Sequence, residues 1–464
     1  MTRDPPTDRT APDPWRPHVT HSHPGRPRRI LLRSSWATAN IGDVAHSPGA
    51  LHALRAEGED VELTLWPCRL GERERRMFAE RQPWVRIVDG DLDADGNPTT
   101  AALAEAWAEA DILVHGSAAG LGAGADLRAW QATGRPYGFF GITYDPFGPY
   151  TPSTLAQAAT QIAALPADYL SEADRELFAG AEFLYCRDSL TLDYLTRQRL
   201  TGPLLEWGPD ATFAHDLLDE PAADSLVAEY RLTRGEFLVA VPRSRFAPYH
   251  RIHGLTPGRT DHHRDAVNAA HDAEDLAVLA GAITHWVRST GGQVLVGPEM
   301  SYAVDLAADH FPRILPDDVA PQVRVLADYW DLPTATATYA RAAGVLTMDC
   351  HSPILASTVG TPAIYLRQPT ETIKGRMYAD LGLGDTVVEV EDHAAAARLA
   401  ELLDAIAEGR GTRPDVRTAA AHAAATERLA QMASTAVGRH GPGRDTEASD
   451  GVGGTKSEVS VGGV

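Results

Sequence analysis

Asp349, Cys350 and His351 stand together where an apolar run, residues 344–348, gives way to a Pro and a small-residue pattern. An imidazole titrates closest to neutrality of the common side chains, so a His at such a corner is a candidate for proton transfer, with Asp349 able to orient the ring or set its tautomer. Asp349 or Ser352 could equally cap the following helix, and His351 could be a buried, satisfied side chain. Cys350 is a poor nucleophile here, because a thiolate needs positive surroundings and Asp349 opposes them. Arg243 and Arg245 follow the apolar run 237–241. Guanidinium groups bind phosphate or carboxylate with two parallel hydrogen bonds, so this pair is a candidate anion clamp, or else a solvated surface pair.

Three further segments offer anion contacts. Asn40, Gly42 and Asp43 belong to an Asn-Ile-Gly-Asp turn after the first apolar run, where glycine and a helix N-terminus would bring backbone N–H groups to a ligand, unless Asp43 only caps the helix. Gly116 and Ser117 open a Gly/Ala loop, residues 116–124, that is neither a dinucleotide fingerprint nor a Walker motif but could cradle a phosphate or carboxylate. Arg187 follows the run 182–186 and either binds an anion or pairs internally with Asp188.

These residues need a scaffold that presents strand ends. Strand-like apolar runs at 29–33, 61–66, 85–88, 111–115, 137–143 and 182–186 alternate with helical patterns, and the alternation resumes at 237–241, 293–296, 323–326, 344–348, 363–366 and 386–390. That spacing predicts α/β architecture with two Rossmann-like, doubly wound parallel sheets. In such sheets ligands bind at the carboxyl ends of the strands, and all the candidate residues fall there. The expected division is a tail at 1–28, one unit at 29–225, a second at 226–412, a C-terminal helix at 413–438 that packs back across the first unit, and a tail at 439–464. Both tails are rich in Pro, Gly and charge and are expected to be disordered. Residues 244–272, which hold His250, His253, His262, His263 and His271, read as a Pro/Gly-punctuated excursion suited to a lid. Adjacent His residues in such a loop do not converge as metal ligands, so no metal is expected.

The formal charge of −21 excludes nonspecific nucleic-acid binding and docking on anionic lipid, both of which need a basic surface. Three scattered cysteines form no disulfide framework and suit a reducing compartment. With no secretory leader and no apolar run near the roughly 20 residues that span a bilayer, a cytoplasmic protein without an integral membrane segment is expected. A homo-oligomer is compatible with all of this.

The stretch 342–383 resembles the C-terminal signature of the polysaccharide pyruvyl transferase family: an apolar strand, a His corner (His351), a helix ending in Gly-x-Pro (Gly360 to Pro362), a strand, then Lys374 upstream of Asp380-Leu381-Gly382. The turn at 40–43, the Gly-rich loop, the Arg187-Asp188-Ser189 segment and Gly208-Pro209-Asp210 are similar to family features at matching points. The resemblance implies a GT-B fold and ketal-forming transfer of pyruvyl from phosphoenolpyruvate to a sugar or glycan without a cofactor. On that scheme His351 handles protons and Arg243, Arg245 and Lys374 bind the anionic donor. One position departs: Asp349 stands where the family carries Arg, and its repulsion of an anionic donor is worth on the order of 1 kcal/mol or more. Either Arg243 or Arg245 replaces the missing cation, or the donor differs, as in a GT-B glycosyltransferase using a nucleotide sugar, or the chain is a non-catalytic binder of a glycan or partner.

Overall fold

The computed structural model describes residues 26–148, 153–410 and 414–439. The expectations for residues 1–25 and 440–464 lie outside the described residues. Seven strands, β1 (Arg28–Ser34), β2 (Val61–Pro67), β3 (Arg86–Ile87), β4 (Ile112–His115), β5 (Tyr137–Ile142), β6 (Phe183–Cys186) and β7 (Leu204–Trp207), form one parallel sheet in the order β3-β2-β1-β4-β5-β6-β7. Six more, β8 (Leu238–Val241), β9 (Val294–Val296), β10 (Val323–Val325), β11 (Gly344–Thr347), β12 (Ala363–Arg367) and β13 (Val387–Glu389), form a second parallel sheet in the order β10-β9-β8-β11-β12-β13. The central strands are largely apolar because helices cover both faces, as in β5, where every residue of YGFFGI is buried.

Each sheet reverses its winding once, between β1 and β4 and between β8 and β11. Such reversals open a crevice at the carboxyl ends of the strands. Register decides what faces what there: Thr347 pairs with Val241, so Asp349 and Arg243, each two residues further on, leave the sheet side by side. One apolar cluster runs from the first sheet (Ile30, Leu32, Val114) to the second (Val239, Val241, Val345) and takes in Ala425, Leu429 and Met432 of the last helix, Val416–Ala436. That helix packs on the first unit: the Tyr185 hydroxyl donates to Thr435 Oγ1 at 2.9 Å, and Arg428 Nε donates to the Trp207 carbonyl at 2.8 Å.

Three expectations need correction. The first helix is Ile41–Arg55, so Asp43 lies in its first turn rather than at its cap, because Asn40 caps it and Pro48 is accommodated inside it. The His-rich excursion is helical from Arg259 onward, as the first half of Arg259–Thr290. Its exposed half lacks an apolar stripe and so carries no periodic signal; it is begun by Asp261, which accepts from the Gly258 N–H at 2.8 Å, and ended by Gly291 in the left-handed region (φ 67°). Finally, the boundary at 225/226 falls inside helix Glu220–Glu229, which packs on Leu332–Tyr339 of the second unit. The boundary at 412/413 lies outside the described residues.

Candidate active site

His351 sits at the start of helix Ser352–Thr358, just past β11, and is buried. Its Nδ1 lies 3.1 Å from Glu299 Oε1. The other oxygen of Glu299 accepts from the Ser352 N–H at 2.7 Å and the Ser352 hydroxyl at 2.6 Å. A carboxylate on the first N–H of a helix is a favourable arrangement, and it fixes Glu299 as the orienter of the ring. Burial alone would depress the imidazole, but the Cys350 and Glu299 side chains raise its pKa well above the ordinary value. Burial likewise opposes ionisation of Glu299, yet His351 holds its carboxyl down at about 2.

The cations come from neighbouring strand ends. Arg243 Nη1 reaches Asp349 Oδ1 at 2.6 Å and Nη2 reaches Glu371 Oε1 at 2.8 Å. Lys374 Nζ lies 3.0 Å from Glu371 Oε2, three residues earlier. Burial would raise Glu371, but Arg243 and Lys374 outweigh it and bring the group to about 2. Asp349 behaves differently: burial prevails over Arg243, and with Glu299 and Glu371 adding like charge its carboxyl is pushed up to about 7. Thr372, between Glu371 and Lys374, takes a left-handed φ of 54°, a strained conformation for a β-branched residue.

The first unit closes the site from the other side. Asn40 Oδ1 accepts from the N–H of Gly42 (2.7 Å) and of Asp43 (3.1 Å), while the Ile41 N–H donates to the Glu299 carbonyl at 3.0 Å and the Ser301 N–H to Ala39 at 2.8 Å. The expected anion cradle at 40–43 is therefore corrected: its N–H groups are already engaged, and the turn is instead a backbone bridge between the two units. Gly42 has to be glycine, because a Cβ there would overlap Cβ, Cγ and Nδ1 of His351. Asp43, half-buried, has its carboxylate 3.8 Å from His46 Nε2, and the His46 ring meets the His351 ring edge-on at 5.0 Å between centroids.

Other sequence-nominated residues are occupied structurally. Arg187 is buried and paired with Asp210, and its Nε donates to Thr143 Oγ1 at 3.1 Å. Arg245 turns away from the cleft to Asp275 (2.8 Å) and Glu391 (2.6 Å). Gly116 packs on Ser34, and the Ser117 carbonyl accepts from Trp36 Nε1 at 2.6 Å. The loop then continues the sheet through Ala118 N–H to Gly141 and Thr143 N–H to Ala118, each at 3.0 Å, so residues 116–118 do not form an open cradle. His250 bonds Asp265 at 3.3 Å, tying the short helix Tyr249–Ile252 to the long helix rather than leaving a loose lid.

Glu299, Glu371 and His46 were not singled out from the sequence. Glu299 had a usable signal in its place just past β9, and Glu371 in its i, i+3 spacing to Lys374. Among the described residues, two groups could each bring three ligand atoms within 4.8 Å, Asp43 with His46 and His351, and Asp349 with Cys350 and His351; both lie in the cleft and neither is in the His-rich helix.

The architecture is shared with known GT-B proteins. The UDP-GlcNAc 2-epimerase from Neisseria meningitidis bound to UDP-GlcNAc superposes with a TM-score of 0.51 at 10% identity, covering 88% of this chain and 98% of that one. The S. aureus MnaA–UDP co-structure gives 0.50 at 10% identity, covering 88% and 95%. At such identity the likeness is one of fold. No curated protein matches the chain. No helix among the described residues is long and apolar enough to cross a membrane. Residues 40–368, from the bridging turn to the end of β12, match the family model described as polysaccharide pyruvyl transferase, and with most of both sheets inside that match the chain belongs to the polysaccharide pyruvyl transferase family, a transferase with the GT-B fold.

Proposed function

We propose that the enzyme transfers the pyruvyl group of phosphoenolpyruvate to two hydroxyls of a sugar or glycan as a ketal. The observation that carries this reading is the guanidinium of Arg243 bridging Asp349 and Glu371 beside the Glu299-held His351. Asp349 occupies the position at which the family has its cation, and Arg243 supplies a cation to the same spot from β8. Arg245, engaged with Asp275, is left out of the donor set.

The chemistry follows from the balance of the reaction. One acceptor hydroxyl attacks C2 of the donor and loses its proton, C3 gains a proton to become a methyl, the C2–O bond to phosphate breaks, and the second hydroxyl closes the ketal as its proton leaves with phosphate. His351, held protonated by its buried carboxylate, is the acid for C3. Arg243 and Lys374 seat the donor's carboxylate and phosphate. Asp349, near 7, takes up a proton as the multiply charged donor arrives, which frees the Arg243 charge for it.

The test is incubation with phosphoenolpyruvate and a glycan panel, following phosphate release and a new glycan-attached methyl signal by NMR. Ketal methyl formed in step with phosphate is expected. Phosphate without glycan-bound pyruvyl, or transfer from a nucleotide sugar with phosphoenolpyruvate untouched, would overturn the reading.

A further inference from the structure

Ketal formation removes a proton from one place, the acceptor hydroxyl, and delivers one to another, C3 of the donor. A single imidazole fixed by Glu299 serves one of those places. The same cleft holds a second imidazole, contributed by the other unit and not used in the scheme above. His46, buried in helix Ile41–Arg55, has Nδ1 at 2.9 Å from Asp210 Oδ1. Asp210 is itself buried, accepts from the Thr212 N–H at 2.9 Å and is paired with Arg187 through its other oxygen. A carboxylate pinned in this way accepts only from a protonated Nδ1, so in the neutral ring the lone pair of His46 is on Nε2. The Nε2 edge faces Asp43, and one ring nitrogen of each His lies with an Asp43 oxygen inside a 4.8 Å cluster. The two halves are thus mirror arrangements, Asp210 behind His46 and Glu299 behind His351, and the backbone bridge at 39–41 and 299–301 keeps the rings in register.

We propose that His46 is the proton partner of His351: a positioning residue, tautomerically locked by Asp210, that receives the acceptor's proton by way of Asp43 and returns it to His351. This rests on the pyruvyl-transfer reading. In one turnover the O–H bond of the attacking hydroxyl breaks, its proton crosses Asp43 to Nε2 of His46, and His351 is reprotonated after giving its own proton to C3; no co-reactant is consumed by the pair. The charged and titratable groups facing the two rings are Asp43, Asp210 and Arg187 from the first unit, and Glu299, Asp349 and Cys350 from the second. Asp43 is the most exposed of the relay's three members and therefore the one that meets the acceptor. The dyad is built from both units, His46 from the helix after β1 and His351 from the start of the helix after β11.

The test is a long-range 1H–15N spectrum of the full, chelator-treated chain labelled at histidine, with His46 assigned by difference from His46→Gln. At neutral pH, His46 is expected to carry its proton on Nδ1, and Asp210→Asn is expected to shift it toward Nε2. Kinetically, Asp210→Asn and His46→Gln should each lower kcat by about 100-fold or more with donor KM unchanged, and the pH–rate profile should lose one limb. A wild-type His46 protonated on Nε2, or an Asp210→Asn protein with unchanged spectrum and pH profile, would overturn the relay. So would ring nitrogens whose shifts move on chelation, since that marks a metal held by Asp43, His46 and His351. A wild-type enzyme inert toward phosphoenolpyruvate would overturn the donor reading instead, while the tautomer still decides the role of His46.

Discussion

The two sheets share one winding pattern but load their strand ends in opposite ways. In the first unit the cations are shut in: Arg33, near the end of β1, pairs with Asp126, and Arg187, just past β6, pairs with Asp210, which also holds His46. Past the second, Arg243 and Lys374 are shared among Asp349 and Glu371, and the imidazole of His351 lies alongside. A closed pair holds a wall together, whereas a cation bridging two carboxylates, one of them near 7, can change partners when an anion arrives. On the proposed reaction the second unit is the donor side, and the first presents a glycine, a backbone bridge and a second imidazole to it.

The sharpest break of this contrast is His351→Gln. It removes the proposed acid while the Ser352 contacts still hold Glu299, so transfer should fall by about 10²- to 10⁴-fold with little change in Tm. Unchanged turnover would remove His351 from the chemistry.

The two strand-end arginines sharpen it next. Arg243→Gln leaves Asp349 and Glu371 without their shared partner, which should cost about 3–5 kcal/mol of stability and weaken donor binding about 10-fold or more. Arg245→Gln breaks the Asp275 pair and should lower Tm while leaving donor KM unchanged. Equal effects of the two on KM would contradict the assignment. Gly42→Ala forces a methyl into the His351 ring and should cost about 1–3 kcal/mol, seen as a lower kcat and a larger radius of gyration by small-angle scattering as the units part.

The smallest effect is one of pH. Asp349 stands at about 7, facing Arg243, Glu299 and Glu371. Its neutral form accommodates an anion and its ionised form repels one, so donor affinity should fall as pH rises through 7. Asp349→Asn should flatten that dependence, as measured by donor Kd between pH 6 and 8.

How much of this was legible in the residues differs between the units as well. Strands such as FLVAV and YGFFGI announce themselves because burial on both faces removes all polar positions. The strand-end places of His351 and Arg243 were readable from the apolar runs that precede them. What could not be read is partnership at long range. Asp210 lies far in sequence from His46, and Glu299 from His351, so even where a strand-end place singles out a carboxylate, as with Glu299, nothing local names the imidazole it orients. The same blindness explains Arg245, whose sequence neighbourhood is that of Arg243 but whose side chain is claimed by Asp275. Residues 259–272 escaped because a helix exposed on most sides has no apolar stripe to report it.

The most direct test of the donor side is a calorimetric titration of phosphoenolpyruvate, with UDP-glucose as the comparison ligand, into the wild-type and Arg243→Gln proteins. Saturable binding of phosphoenolpyruvate by the wild type, sharply weakened in Arg243→Gln and absent for UDP-glucose, is the expected result. Binding of UDP-glucose alone, or of phosphoenolpyruvate equally well without Arg243, would contradict it.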